Sequence, residues 1–342
     1  MKKKVSLKDI ANKVGVSTAL VSYVLNNKKT GRIRKEVAAK IKATALELNY
    51  RTNQIARSLK LKKTFTIGLV VADISNPFFS SLARIIEDEA YEKNYTVIFG
   101  SADENAEKSY KLINTLLDRQ VDGFIIAPSE EGESNIKYLL EHDIPFVLID
   151  RYFPGIETNW VTLDNYKAAY DATKYFIGGG NTRIGLITYD TTLFNLSERK
   201  RGYEDALKSK NIAIDKLWCH ELLYSANIEQ AVKEAIDELL ILPRPVDSIL
   251  FASNTIAFFG LKYIHSKGIQ IPGELSLITF DEINASDLFY APLTYIKQPI
   301  NEMAQLATQI LLENINEEKE LVQKLIEAPL IVRQSTLPTH TQ

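Results

Sequence analysis

Two sets of residues in this chain have the types and spacing to do chemistry. The first lies in LKDIANKVGVSTALVSYVL, Leu7 to Leu25, which reads as two short helices joined at Gly15. At 3.6 residues per turn, Val21, Val24 and Leu25 point one way, while Ala19, Ser22 and Tyr23 point the other, with Thr18 flanking them. That is the pattern of a helix-turn-helix whose second helix can lie in the major groove of DNA. Ser6 and Ser17 are expected to cap the two helices, with Asp9 returning a capping-box acceptor to Ser6. Asn26 opens the polar, basic loop to Arg34 that can lie along phosphates. The candidate DNA contacts here are therefore Ser6, Ser17, Thr18, Ala19, Ser22, Tyr23 and Asn26. The second set follows apolar strand runs, at the strand ends where open parallel sheets bind small molecules. It comprises Asn76, Phe78 and Phe79 in DISNPFF after TIGLVV, Arg199 at the start of ERKRGYEDAL, Asn254 after SILFAS and Asp281 after LSLITF. One of Phe78 and Phe79 is expected to pack into the core.

Catalysis is not indicated. The sequence contains no GxGxxG, Walker loop, HExxH or GxSxG. Gly178, Gly179 and Gly180 follow a helix and precede a strand, the reverse of a phosphate-cradling loop, and read as a helix C-cap. His142, His220, His265 and His340 form no constellation, and Cys219-His220 lacks the further ligands of a metal site. No catalytic residue, metal or cofactor is expected. A single cysteine fits a reducing cytoplasm. MKKKVSLKDI has no signal-peptide apolar region and no 18-residue apolar run occurs, so a cytoplasmic protein, nucleoid-associated when on DNA and with no membrane partner, is expected.

The elements that must position these residues divide into a small head and a long body. A third helix, about Lys35–Leu48, carries Val37, Ile41, Ala45 and Leu48 as its core stripe. From Thr66 onward apolar strands alternate with amphipathic helices through LSLITF, which implies parallel sheets covered on both faces. So many units exceed one core and suggest two doubly wound lobes. The charge divides at the same place. Residues 1–62 hold 16 Lys and Arg against 3 Asp and Glu, a balance of +13 that leaves −15 for the rest of a chain whose net charge is −2. A basic head on an acidic body is an electrostatic footprint for phosphate, sized to one domain.

SLKDIANKVGVSTALVSYVLN, ELNYRTNQIARSL and TIGLVVADISNPFF, followed in order by DGFIIAPS, FVLIDR, ERKRGYEDAL, LITFDEINASDLFYAPLTYIKQP and LIVRQST, resemble the LacI/GalR family of bacterial transcription regulators across nearly the whole chain. The resemblance implies a helix-turn-helix head over residues 1–50, a hinge helix and linker over 51–63, and a two-lobed core over 64–338 similar to periplasmic sugar-binding proteins. The first lobe is expected at about 64–163 and 293–318, the second at about 164–290 and 319–338, with crossings near Asp164, Asp281–Pro292 and Glu317–Lys324. In the hinge, Asn53, Ala56, Arg57 and Leu59 are the implied DNA contacts. Ala56 allows close approach, Leu59 can wedge between base pairs in the minor groove, and Arg57 can reach phosphate. Arg199, Asn254 and Asp281 match positions that hydrogen-bond effector hydroxyls, and Tyr224 an aromatic that stacks on the ligand.

The function implied is an effector-controlled regulator, a repressor, acting as a homodimer on a palindromic double-stranded operator. Its expected small-molecule effector is a sugar or sugar phosphate. Purine-reading members of the family place an Arg where this chain has Leu193, which argues against a nucleobase. The competing reading is a cytoplasmic ligand-binding protein or enzyme with a vestigial basic head, which would need neither helix-turn-helix nor hinge wedge. The chain departs from the family pattern at Leu20, Tyr23, Arg34, Thr52 and Glu282, which bears on operator and effector choice rather than on fold.

Overall fold

A computed structural model describes residues 5–26, 33–50, 63–224, 227–283, 289–316 and 320–336. The chain forms two units, Met1–Thr64 and Phe65–Gln342. In the first, α1 (Leu7–Val14), α2 (Thr18–Leu25) and α3 (Lys35–Glu47) enclose Ile10, Ala11, Val21, Val24, Ile41 and Ala45. Ser6 caps α1 in a complete capping box, its Oγ donating to Asp9 Oδ2 at 2.7 Å. Gly15 takes φ +80, so α1 ends there, and Ser17 caps α2 by accepting from the Leu20 N–H at 3.2 Å. The chain thus turns between the two helices in three residues. The expected hinge helix, with Asn53, Ala56, Arg57 and Leu59, lies outside the described residues.

The second unit holds two six-stranded sheets. In the first lobe are β1 (Thr66–Val71), α4 (Pro77–Glu92), β2 (Thr96–Ser101), α5 (Ala106–Asp118), β3 (Gly123–Ile126), α6 (Glu133–Glu141), β4 (Phe146–Ile149) and β5 (Trp160–Leu163). The chain then enters the second lobe with α7 (Asn165–Gly178), β6 (Ile184–Tyr189), α8 (Phe194–Ser209), β7 (Cys219–Leu222), α9 (Ile228–Ile241), β8 (Ser248–Phe251), α10 (Asn254–Lys267), β9 (Ser276–Phe280) and β10 (Thr294–Ile296). It returns for α11 (Ile300–Ile315) and β11 (Gln323–Ile326), and ends in the second lobe with β12 (Leu330–Ile331). The orders are β11-β5-β4-β3-β1-β2 and β12-β10-β9-β8-β6-β7, parallel throughout except for β10 with β12.

Both faces of each sheet are buried, as the apolar strand runs require. Ile67, Leu69 and Val71 of β1 pack under α4 and α11, while Val70 meets Ile113 and Leu116 of α5 on the opposite face. In the second lobe Leu186 packs with Phe176 of α7 and Tyr203 of α8, and Ile187 with Ile236 of α9 and Ile256 of α10. Helices α7 and α8 approach so closely at Gly202 that a Cβ there would stand 2.2 Å from the Tyr166 carbonyl oxygen.

The sheet order corrects two of the three expected crossings. The first falls at Asp164, between β5 and α7. The second falls after β10, because Thr294–Ile296 pairs in parallel with Ile278–Phe280 and so belongs to the second lobe, not to a first-lobe segment 293–318. The third falls after β11, because Gln323–Ile326 pairs with Trp160–Leu163 and belongs to the first lobe, not to a second-lobe segment 319–338. Both strands are short and partly polar, with no apolar run to announce them, and only pairing assigns their lobe. LIVRQST contributes only the short strand Leu330–Ile331. Beyond it Ser335 Oγ donates to the Leu277 carbonyl, and the Thr294 N–H donates to that same hydroxyl oxygen.

Candidate functional site

In the head, Thr18, Ala19 and Tyr23 are exposed on α2, opposite buried Val21 and Val24, and Ser22 is partly so. Asn26 turns back on the helix, its amide donating to the Ser22 carbonyl at 2.7 Å. The hydroxyls of Ser6 and Ser17 serve as helix caps.

In the core, the carboxyl ends of both sheets face one cavity of about 630 Å3. Every strand of the two sheets from β1 to β4 and from β6 to β10 delivers a residue to it or to the loop that lines it. Asp73 and Asn76 follow β1, Glu104 follows β2, Glu130 follows β3, and Asp150 and Arg151 follow β4. From the second lobe come Tyr189, Tyr224, Asn254, Asp281 and Gln298, after or at the ends of β6, β7, β8, β9 and β10. All seven candidate residues, Asn76, Phe78, Phe79, Arg199, Tyr224, Asn254 and Asp281, line this cavity.

Arg199 was expected at the start of its helix. That helix begins at Phe194 instead, so Arg199 stands one turn inside α8. Its guanidinium is buried, with Nε donating to Asn165 Oδ1 at 2.7 Å and Nη1 to the Ala252 carbonyl at 2.6 Å. The Phe280 ring lies 3.8 Å below its carbon. Nη2 donates to no described residue, which leaves it for the cavity. Burial draws the Arg199 pKa down, and the charges of Asp281 and Asp150 oppose that. Asp281 has φ +68 and accepts from the Gln298 amide at 2.7 Å. Burial pushes its carboxyl up to about 6, against the pull of Arg199 and the Gln298 hydrogen bond.

Phe78 and Phe79 are both buried and both border the cavity, meeting edge to face at 5.0 Å. Asn76 caps α4 by accepting from the Phe78 N–H, and it also exchanges hydrogen bonds with Asn254 across the cleft, at 2.8 and 3.3 Å. Glu130 reaches across as well, accepting from the Thr192 N–H and Oγ1 at 2.6 and 2.8 Å. The Tyr224 hydroxyl stands 3.4 Å from Asp73 Oδ2, and its ring is 5.5 Å from that of Tyr189.

Several cavity residues escaped the reading of the sequence. Arg151 forms a two-pronged pair with Glu104 at 2.6 and 2.7 Å and faces Asp150 at 3.4 Å. Burial lowers the Arg151 pKa, but Glu104 and Asp150 outweigh it and hold the group above its ordinary value. Burial likewise raises Asp150, opposed by Arg151 and Arg199. The signal was present, since Asp150-Arg151 ends FVLIDR at the carboxyl end of a strand, like Asp281. Gln298 could not be found that way, because β10 was not recognised as a strand.

Residues 6–53 match the family described as bacterial regulatory proteins, lacI family, and residues 64–334 match periplasmic binding proteins and sugar binding domain of LacI family. The chain belongs to the LacI family. The HTH-type transcriptional regulator DegA of Bacillus subtilis is 31% identical over 99% of this chain and 100% of its own. The ribose operon repressor of Haemophilus influenzae is 30% identical over 97% of this chain and 98% of its own. A lac repressor dimer bound to operator and the anti-inducer ONPF, at 21% identity, shares the fold with a TM-score of 0.85 over 98% of this chain and 100% of that one. The LacI family is one of DNA-binding transcriptional regulators rather than enzymes. No helix among the described residues is long and apolar enough to cross a membrane.

Proposed function

We propose that this LacI-family chain is a repressor that binds a palindromic operator as a homodimer and whose operator affinity is set by an uncharged sugar held between the two lobes. The observation that carries the effector reading is the convergence of Arg199, Asp281, Asn254 and Asp150 on one cavity together with aromatic rings. Guanidinium, carboxylate and amide present donors and acceptors to adjacent hydroxyls, while Tyr224 and the phenylalanines offer faces to the apolar side of a pyranose. A 30% identical relative named for the ribose operon supports a sugar.

The lining charges favour a neutral sugar over a sugar phosphate. Among the described residues, Asp73, Glu104, Glu130, Asp150, Asp281 and Glu282 face the cavity against Arg151 and Arg199. Arg151 is already taken by Glu104. A phosphate dianion would enter a carboxylate-rich site with one guanidinium to meet it, at a cost that buried unpaired charge makes large. A nucleobase is disfavoured by Leu193, a buried apolar residue on the cavity wall. Polar purine edges against it would go unsatisfied at about 1–3 kcal/mol each.

The linkage follows from the fold. The three crossings tie the two lobes, so a ligand that grips residues of both biases their relative angle, and operator affinity changes by the same coupling free energy. The test is a thermal-shift screen of the full chain with neutral sugars, their phosphates, hypoxanthine and guanine, followed by operator binding with each hit. A neutral sugar is expected to raise the melting point and to change operator affinity. Stabilisation by a nucleobase or a sugar phosphate with no response to neutral sugars would overturn the reading.

A further inference from the structure

The cleft has more room than one sugar ring uses. Even if each of the twelve non-hydrogen atoms of a hexose took the full share of a water molecule in the liquid, about 30 Å3, the ring would fill roughly 360 Å3. The cavity offers about 630 Å3. Leu193, Leu196, Phe258 and Ile283 are among the residues that line it, and apolar walls hold water poorly.

A second niche of about 290 Å3 adjoins it, sharing Glu130 and Leu193 with the first. Its walls are aromatic. Tyr152 lies flat on Trp160, at 4.3 Å and 14°, and meets Phe194 edge to face at 5.1 Å. Phe153 completes the wall, and Glu133 and Lys137 supply a polar rim. Tyr152, Phe153 and Phe194 are only partly buried. Rigid aromatic faces with a few polar groups at the edge form a surface on which the apolar side of a sugar ring stacks. At the junction stands the carboxylate of Glu130, held by Thr192 and Thr191; a carboxylate has about four lone-pair sites, so it can accept from a further hydroxyl.

We propose that this niche is a second sugar subsite and that the effector is an oligosaccharide of at least two rings. The inner ring lies with Arg199 and Asp281, the outer ring against Phe194 and Phe153, and the linkage passes Glu130. The inference rests on the neutral-sugar reading above and adds the length of the ligand.

Calorimetric titration of the full chain with cellobiose, maltose and lactose, and with glucose and galactose as their components, tests it. One disaccharide is expected to bind at least tenfold more tightly than either of its component sugars. Phe194→Ala and Phe153→Ala are each expected to remove at least tenfold of that affinity, while the component monosaccharide binds as to the unaltered chain. Two variants are needed because Phe153 also packs against the first-lobe core, and the loss of one fold leaves the other readable. A disaccharide that binds no better than its components, or that ignores both substitutions, overturns the second subsite and leaves the sugar reading standing. No binding by any carbohydrate in the panel, with hypoxanthine or guanine bound instead, overturns both.

Discussion

Replacing Asp281 by Asn should make the core more stable, and by an amount that depends on pH in a defined direction. Burial raises the Asp281 carboxyl from an ordinary 3.8 to about 6. The folded chain therefore resists ionising it, by about two pH units, or about 3 kcal/mol at 1.36 kcal/mol per unit. Because the folded pKa is raised, the stability associated with the protonated form is fully present below pH 3.8 and is lost as pH rises through 6. Asn cannot ionise, keeps an oxygen for the Gln298 amide, and tolerates the left-handed backbone at φ +68. The stability difference in favour of Asp281→Asn should grow from near zero at pH 4 and level off above pH 7 at about 3 kcal/mol, roughly half of it accruing above pH 5. Urea unfolding at matched protein concentration reads this directly. Trp160 and Trp218, one in each lobe, report by fluorescence. Titrating groups outside the coupled cluster of Asp281, Asp150 and Arg199 are common to both proteins and cancel in the difference. Parallel stability curves from pH 4 to pH 8 would show that the buried carboxyl is not under this strain. In the same variant the effector response should fall at least tenfold with operator binding retained. Loss of operator binding would instead mark Asp281 as structural.

Three further outcomes are expected. Leu59→Ala should weaken operator binding while leaving binding to random DNA nearly intact, and Tyr23→Arg should change sequence preference more than overall affinity; gel-shift titrations on operator and scrambled DNA distinguish these, and equal losses on both DNAs would refute a hinge wedge. Gly202→Ala should lower stability by about 1–3 kcal/mol, because its Cβ meets the Tyr166 backbone and α7 must move off α8; an unchanged melting temperature would contradict that packing. Light scattering of the full chain at micromolar concentration should give a dimer, since a palindromic operator presents two half-sites to two heads; a stable tetramer would count against it.

Local chemistry made much of this molecule legible in advance. The head follows from Ser6, Asp9, Gly15 and Ser17, residues that act within one turn of their own position, so helix starts and the turn between them can be read without knowing any distant contact. The strands β1, β3, β4, β8 and β9 announce themselves because strands covered on both faces must be apolar throughout. Once the strands are placed, the rule that ligands gather at their carboxyl ends brings Asn76, Arg199, Asn254 and Asp281 toward one site.

Pairing over long sequence separation decided the rest. β10 and β11 carry no run that names them, and only their partners, β9 and β5, set which lobe each joins and hence where the chain crosses. The charge states of the cleft are tertiary as well. Arg151 is held by Glu104, 47 residues away, and Asp281 is raised by burial against the opposing pull of Arg199 and the Gln298 hydrogen bond. Burial is a property of what surrounds a side chain, and nothing adjacent in the sequence encodes it. For the same reason the aromatic niche could not be read from the chain. Tyr152 and Phe194 belong to different lobes, and only the closing of the two sheets on one cleft brings their rings to 5.1 Å.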